Sequence, residues 1–297
     1  MIQHSCPTIE SDDITSVLKT LKSKKIASLV GSLLFSKNLK KFFKAKKVYL
    51  TPSGTEAIKM AINFLNIKKG DEIIVPAYIC QSVISAIEST KAKPIPVDIV
   101  LSDCNISYED TVRKISPRTR AIILPHLFGN FVQNINKFQA LGKPIIEDVA
   151  QAIGGEYLGR KLGSFGDLAI CSFYATKVIT TGEGGALIIN SDKFKGTSVN
   201  KSFYKMPDLQ SALGLSQLEK IKKLNQRRKE LFKIYRTELR KIPKITLVDS
   251  PLSINYRCII ETENASAISR DLKAKGVMAE KYTSTAFNYL KLDPKKY

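Results

Sequence analysis

The chain has 297 residues and carries 47 Lys and Arg against 27 Asp and Glu, a formal net charge of +20. A content of 43% hydrophobic and 25% charged residues is that of a globular protein, long enough for about two domains with a buried core. No run of eighteen apolar residues occurs, which excludes a spanning helix, and the opening MIQHSCPTIESDD lacks the basic-then-apolar layout of a secretory leader. Five widely spaced cysteines without a Cys-x-x-Cys pair, and two histidines (His4 and His126), argue against a metal cage and for reduced thiols in a cytoplasm. The lysines are scattered through segments such as SKNLKKFFKAKK (36–47) and KKLNQRRK (222–229). That distribution favours solvated faces with a preference for anionic ligands over a dedicated nucleic-acid surface.

In chain order, seven short apolar, β-branched segments read as strands: 48–51, 72–77, 94–99, 121–128, 144–150, 168–173 and 186–190. They show little internal alternation, as strands buried on both faces do. Helical stretches fit between them. TEAIKMAINFLNI has a stripe at Ala57, Ile58, Ala61, Ile62 and Leu65, and SVISAIEST and NINKFQALG are shorter candidates. Strand and helix alternating through Gly, Asp and Pro turns predict an α/β fold with a mainly parallel sheet. After Asn190 the chain turns polar, and from Asp208 to about Lys241 one long helical pattern follows. Beyond Pro243, KITLVDS, YRCIIET and ASAISRDLKAKG predict a small α+β unit. The expected division is a large domain at 1–207 with an N-terminal arm, then a connecting helix and small domain at 208–297.

The stretch SFYATKVITTGEGG (172–185) places Lys177 just beyond the C-terminal end of a strand, where open α/β sheets bind ligands. Three further signals fall at comparable points. TPSGTEA opens a helix with a glycine turn and hydroxyls, a source of free N–H groups and a positive dipole end for phosphate. Asp148 ends the apolar run PIIEDVAQ, where a carboxylate needs a partner. Gln151 lies three residues on, and Ser172 ends the next strand. Each has a plain structural alternative: a helix cap, a structural carboxylate, a solvated lysine, a glycine turn. Together they match one cofactor. A phosphate cradle, a carboxylate for a protonated ring nitrogen and an amine for a Schiff base describe pyridoxal 5′-phosphate.

The ordered segments SGTEA, GDEIIVPAYICQSVISAI, KPIPVDI, RAIILPHLFGN, IIEDVAQAIGGEYLGRKLGSFGD and CSFYATKVITTGEGGALIIN resemble the DegT/DnrJ/EryC1/StrS family of PLP-dependent sugar aminotransferases. The resemblance runs to about Arg240 and is most specific from Ile145 to Asn190. It implies the fold-type-I aminotransferase architecture, a mainly parallel seven-stranded sheet with helices on both faces, and a C-terminal domain that is short here, the chain ending at Tyr297. It also implies a homodimer with sites between the chains, approached along the helix from Asp208. The substrates implied are an amino-acid donor, L-glutamate, and a nucleotide-linked keto sugar, with no nucleic acid, membrane or metal.

By the same resemblance, Lys177 is the Schiff-base lysine and proton carrier, and Asp148 the partner of the pyridine nitrogen. Gln151 lies on the phenolic-oxygen side of the ring, and Gly54, Thr55 and Ser172 contact the phosphate. Lysine rather than histidine at 177 implies transamination rather than dehydration. Some positions depart from the family pattern. Cys80 replaces an aromatic residue over the cofactor, so that a stacking contact is either lost or supplied by Tyr78. Phe203 replaces an asparagine that reaches the neighbouring subunit's phosphate, with Lys205 as a substitute charge, and the stretch 190–203 is short. Three alternatives stand beside this reading: action on a non-sugar carbonyl, a catalytically weak or regulatory PLP-binding protein, and a nucleic-acid binder.

Overall fold

Every residue of the strand Glu72–Pro76 is buried, with Ile73 and Val75 packed into one hydrophobic cluster and Ile74 into another. Such a strand is covered on both faces, and the rest of the sheet follows it. The computed structural model describes residues 1–194, 205–281 and 285–293. Seven strands form the sheet: β1 (Lys47–Thr51), β2 (Glu72–Pro76), β3 (Lys93–Val97), β4 (Thr119–Pro125), β5 (Ile145–Asp148), β6 (Leu168–Ser172) and β7 (Gly185–Ile189). Their spatial order is β1-β7-β6-β5-β4-β2-β3. From β6 to β3 all neighbours pair in parallel, and β7 runs antiparallel to both β6 and β1. All seven expected strands are present, and the sheet is mainly parallel as expected.

The helices are α1 (Ser11–Lys22), α2 (Val30–Phe43), α3 (Gly54–Phe64), α4 (Gln81–Ser89), α5 (Tyr108–Lys114), α6 (Ile135–Ala140), α7 (Asp208–Glu219), α8 (Ile221–Leu239), α9 (Ala265–Ala274) and α10 (Thr285–Tyr289). On one face, Ala57, Ile58, Ala61 and Ile62 of α3 and Val83, Ile84 and Ile87 of α4 pack with Ile73, Val75, Ile123, Ile146 and Ile170. On the other, Phe35, Leu39 and Phe43 of α2, Phe138 of α6 and Ile221 and Leu224 of α8 pack with Ile74, Ile122, Leu124, Ile145 and Ile188. Alternate strand residues thus feed two separate cores.

The structure refines three expected elements. The N-terminal arm folds into α1 and α2, and the lysines of SKNLKKFFKAKK lie exposed, as expected, around an apolar face. Phe35, Leu39 and Phe43 are the buried face of α2, and Lys37, Lys40, Lys41 and Lys44 are its exposed face. The helix expected over 208–241 is two helices that break at Lys220 (φ −90°, ψ −1°). Its first half, α7, packs against α1 and α2, with Ser211, Ala212, Gly214, Ser216, Gln217 and Leu218 buried. Finally, the run 121–128 leaves the sheet after Pro125 and enters a short 3-10 turn, Leu127–Gly129, with Phe128 at φ 56°. In the C-terminal region Thr246–Leu247 pairs antiparallel with Ile260–Glu261, and Ile2 returns to bridge Val277.

A buried carboxylate joins the arm to α7. Asp13 is 0% exposed and accepts hydrogen bonds from Ser216 Oγ (2.7 Å), Gln217 Nε2 (2.9 Å), the Glu10 N–H (2.9 Å) and Lys220 Nζ. Burial works against its ionisation, but these hydrogen bonds, Lys220 first, outweigh that and hold the carboxyl below its ordinary pKa. The associated stability is present above the ordinary carboxylate value and is lost as pH falls through the depressed folded value. Asp13→Ala leaves Ser216, Gln217 and the Glu10 N–H without this acceptor and Lys220 with only Asp12 and Glu10, and should cost about 2 kcal/mol near pH 7. Urea denaturation at pH 7 and pH 3 measures this, and the wild-type advantage should shrink at the lower pH.

Candidate active site

The C-terminal ends of β1, β5 and β6 converge at the start of α3. Two residues, Pro52 and Ser53, connect β1 to α3, and Ser53 Oγ accepts the Glu56 N–H (3.2 Å) as the helix cap. The turn is pressed from both sides. A Cβ at Gly54 would sit 2.8 Å from Ser172 Cβ, and one at Gly185 would sit 2.4 Å from the Ser53 carbonyl oxygen. Only glycine permits this approach, which brings Ser172 to the open end of α3.

A cavity of about 240 Å³ opens there, lined by Ser53, Gly54, Thr55, Asp148, Gln151, Ser172 and Lys177 among others. All six residues singled out from the sequence therefore line one space. Lys177 is half-buried in the loop between β6 and β7. That loop is pinched at its base, where the Phe173 N–H donates to Gly184 O (2.8 Å) and the Thr181 N–H to Phe173 O (2.9 Å). The hydroxylated residues around the lysine are structural. Thr180 Oγ1 donates to Phe173 O (3.1 Å) and accepts the Gly182 N–H (2.9 Å), and Thr181 Oγ1 donates to Glu183 O (2.5 Å). Lys177 Nζ makes no hydrogen bond or ion pair with the described residues, and so remains available to a ligand.

Asp148 closes β5. Its Oδ1 accepts the Ala150 N–H (2.9 Å), and its second oxygen accepts nothing from the described residues. Burial pushes its carboxyl above the ordinary range, opposed by the Ala150 N–H and the Lys177 charge. A desolvated carboxylate with one unused oxygen calls for a cationic N–H partner. Gln151 Oε1 accepts the Phe128 N–H (2.7 Å), which fixes the amide and leaves Nε2 as a donor.

Behind Asp148 lies a second, fully buried carboxylate whose part the sequence reading missed. Glu147 takes hydrogen bonds from the N–H groups of Gly163 (2.9 Å), Phe165 (2.6 Å) and Gly166 (2.6 Å) and pairs with His126 Nε2 (2.9 Å). His126 Nδ1 accepts the Val132 N–H (3.1 Å), which assigns the ring proton to Nε2. His126 itself lines the cavity, as does Tyr174. Of the two alternatives for the stacking ring, Tyr78 does not supply it: it packs on Phe128 at 6.2 Å beside Leu127 and Val248, while Ile79 and Cys80 face the cavity. Phe203 lies outside the described residues, and Lys205 is exposed.

The cavity suits pyridoxal phosphate on these observations: a glycine cradle that a Cβ would fill, a helix start flanked by hydroxyls, a carboxylate with a vacant oxygen and an unpaired amine. Comparison with known proteins agrees with that chemistry. The chain is 33% identical over 229 residues to a GDP-perosamine synthase of Vibrio cholerae, covering 70% of this chain and 62% of that protein's length. It is 31% identical over 273 residues to the spore coat polysaccharide biosynthesis protein SpsC of Bacillus subtilis, covering 82% and 70%. The structure superposes on the PLP form of Spr1654 from Streptococcus pneumoniae, described as a putative sugar aminotransferase, with a TM-score of 0.91 at 25% identity, covering 100% and 89% of the two chains. The pattern of the DegT/DnrJ/EryC1/StrS aminotransferase family matches residues 7–201 and 197–295, and the chain belongs to that family.

Proposed function

We propose that this protein is a pyridoxal-phosphate-dependent aminotransferase that moves an amino group from an amino acid, L-glutamate, to a keto group of a nucleotide-linked sugar. The observation that carries the reading is the meeting of the Lys177 amine, the Asp148 carboxylate and the start of α3 in one cavity. Lys177 Nζ would hold the cofactor at its aldehyde carbon and, when free, would carry the substrate's proton. Asp148 provides the negative charge that keeps the ring nitrogen protonated. The Gly54 and Thr55 N–H groups, with the Thr55 and Ser172 hydroxyls, bind the phosphate. Gln151 Nε2 donates on the ring-oxygen side, and the Glu147–His126 pair holds one wall in place. The chemistry supplied by the cofactor is an electron sink for the pair left when the substrate's C–H bond breaks. The +20 surface favours a nucleotide diphosphate substrate.

The protein acts as a homodimer. The support is an apolar face left open by the chain's own fold: Ile14, Leu18 and Leu21 form one stripe of α1, and Val30, Leu33 and Leu34 are exposed on α2, Leu33 at 70%. Leu33→Glu should convert a dimer into a monomer by light scattering. A wild-type monomer would remove this part of the reading.

Purified protein loaded with the cofactor should be yellow, and borohydride should fix the cofactor on the peptide containing Lys177. After conversion with glutamate, the visible band should return with one member of a panel of UDP-, dTDP- or GDP-linked 3- and 4-keto sugars. An adduct on another lysine, or a band that glutamate never changes, would overturn the proposal.

Asp148→Asn separates binding from folding. Because burial raises the folded pKa, the folded apo protein holds its proton to higher pH than the unfolded chain does. Its stability therefore falls as pH rises from the ordinary carboxylate value through the raised one. The asparagine variant lacks this penalty, so its apo melting temperature at pH 8 should exceed wild type by a few degrees. Its glutamate half-reaction should slow by about a hundredfold or more. Thermal melts of apo protein and stopped-flow spectra check both halves.

A further inference from the structure

Segments from opposite ends of the chain meet on one carbonyl, that of Thr176, the residue before Lys177. Tyr256 Oη donates to it at 2.9 Å and Ser5 Oγ at 3.4 Å. Tyr256 is 5% exposed and is held by two arginines. The Arg257 guanidinium carbon lies 4.6 Å from its ring centre, with Nη2 3.4 Å from the phenol oxygen and Nη1 donating to His4 O at 3.0 Å. The Arg228 guanidinium carbon lies 5.6 Å from the same ring, and its Nη1 donates to Tyr256 O at 3.4 Å.

The same segment docks at a second point on the site. The Ile254 N–H donates to Gly129 O at 3.0 Å. A Cβ at residue 129 would lie 2.7 Å from Ile254 Cγ1 and 3.0 Å from Tyr256 N, and Gly129 has φ +88°. Glycine at 129 is what lets the segment in. The turn it ends contains Leu127, which lines the cavity.

A lysine side chain has four rotatable bonds, so the protein controls the reach of its amine chiefly by fixing the backbone that carries it. We propose that Tyr256 is a positioning residue for Lys177. Its phenol fixes the 176–177 peptide, and Arg257, donating to the phenol oxygen, directs the O–H toward Thr176. The C-terminal segment and the N-terminal segment around Ser5 thereby set the direction from which the amine enters the cavity. This rests on the assignment of Lys177 as the cofactor-bearing lysine.

Tyr256→Phe keeps the ring and its arginine contacts and removes only the donor. In the apo protein, the rate at which acetic anhydride modifies Lys177, read by mass spectrometry, should change by about twofold or more while surface lysines and the melting temperature stay as in wild type. In cofactor-loaded protein, the pH midpoint of the visible band should shift, and kcat of the glutamate half-reaction should fall about three- to tenfold with KM unchanged. A variant that equals wild type in Lys177 modification, band midpoint and kcat would overturn the proposal. So would a change in KM alone. If the wild-type protein forms no borohydride-fixed adduct on Lys177, the functional assignment falls, while the apo modification rate still decides whether Tyr256 positions the lysine.

Discussion

Two adjacent carboxylates at the end of β5 organise the centre of this molecule, because a carboxylate taken out of water needs partners. Side chains alternate across a strand, so Glu147 and Asp148 point to different sides. Glu147 is fully paired: three backbone N–H groups of the 163–166 turn and the His126 ring surround it. Asp148 is left short by one oxygen, in the cavity that contains Lys177. Saturation on one side supplies rigidity, and deficit on the other supplies a binding demand. The backbone ties the two together, since the His126 N–H donates to Asp148 O at 3.0 Å.

The remaining walls are brought in by close backbone contact. Gly54 and Gly185 let β6 and β7 press against the start of α3, and Gly129 admits the 254–256 segment against the opposite loop. Each is a place where one methyl group would meet atoms already there. The cavity is thus built from segments far apart in sequence, and its shape depends on close approaches that only glycine allows.

The arm shows the same dependence from the outside. α2 starts after Leu29, which has no capping side chain. Its first-turn donors are taken by Asp208, whose carboxylate accepts from the Ser28 N–H and hydroxyl (2.8 and 2.6 Å) and the Ser32 N–H (3.1 Å). α1 is locked by Asp13 to Ser216, Gln217 and Lys220. A cap supplied from the start of α7 leaves no local signal for where α2 begins, although Phe35, Leu39 and Phe43 recur at helical spacing within it. Lys220, drawn to Glu10, Asp12 and Asp13, sits where the single expected helix divides into α7 and α8.

By itself, the sequence determined the sheet and the catalytic candidates. Continuous β-branched runs have one low-energy use, a strand covered on both faces, and Lys177, Asp148, Gln151, Ser172 and the Ser-Gly-Thr turn all stand at strand ends, where such sheets bind ligands. What only the tertiary structure decided is the set of partners that make those residues work. Glu147 stood out in no pattern, His126 counted only against a metal cage, and Tyr256 fell in a strand-like segment. Their roles come from hydrogen bonds that span 16 to 80 residues, such as Gly163 to Glu147 and Tyr256 to Thr176. No local pattern encodes such pairings, because they exist only once the sheet has brought the ends of its strands together.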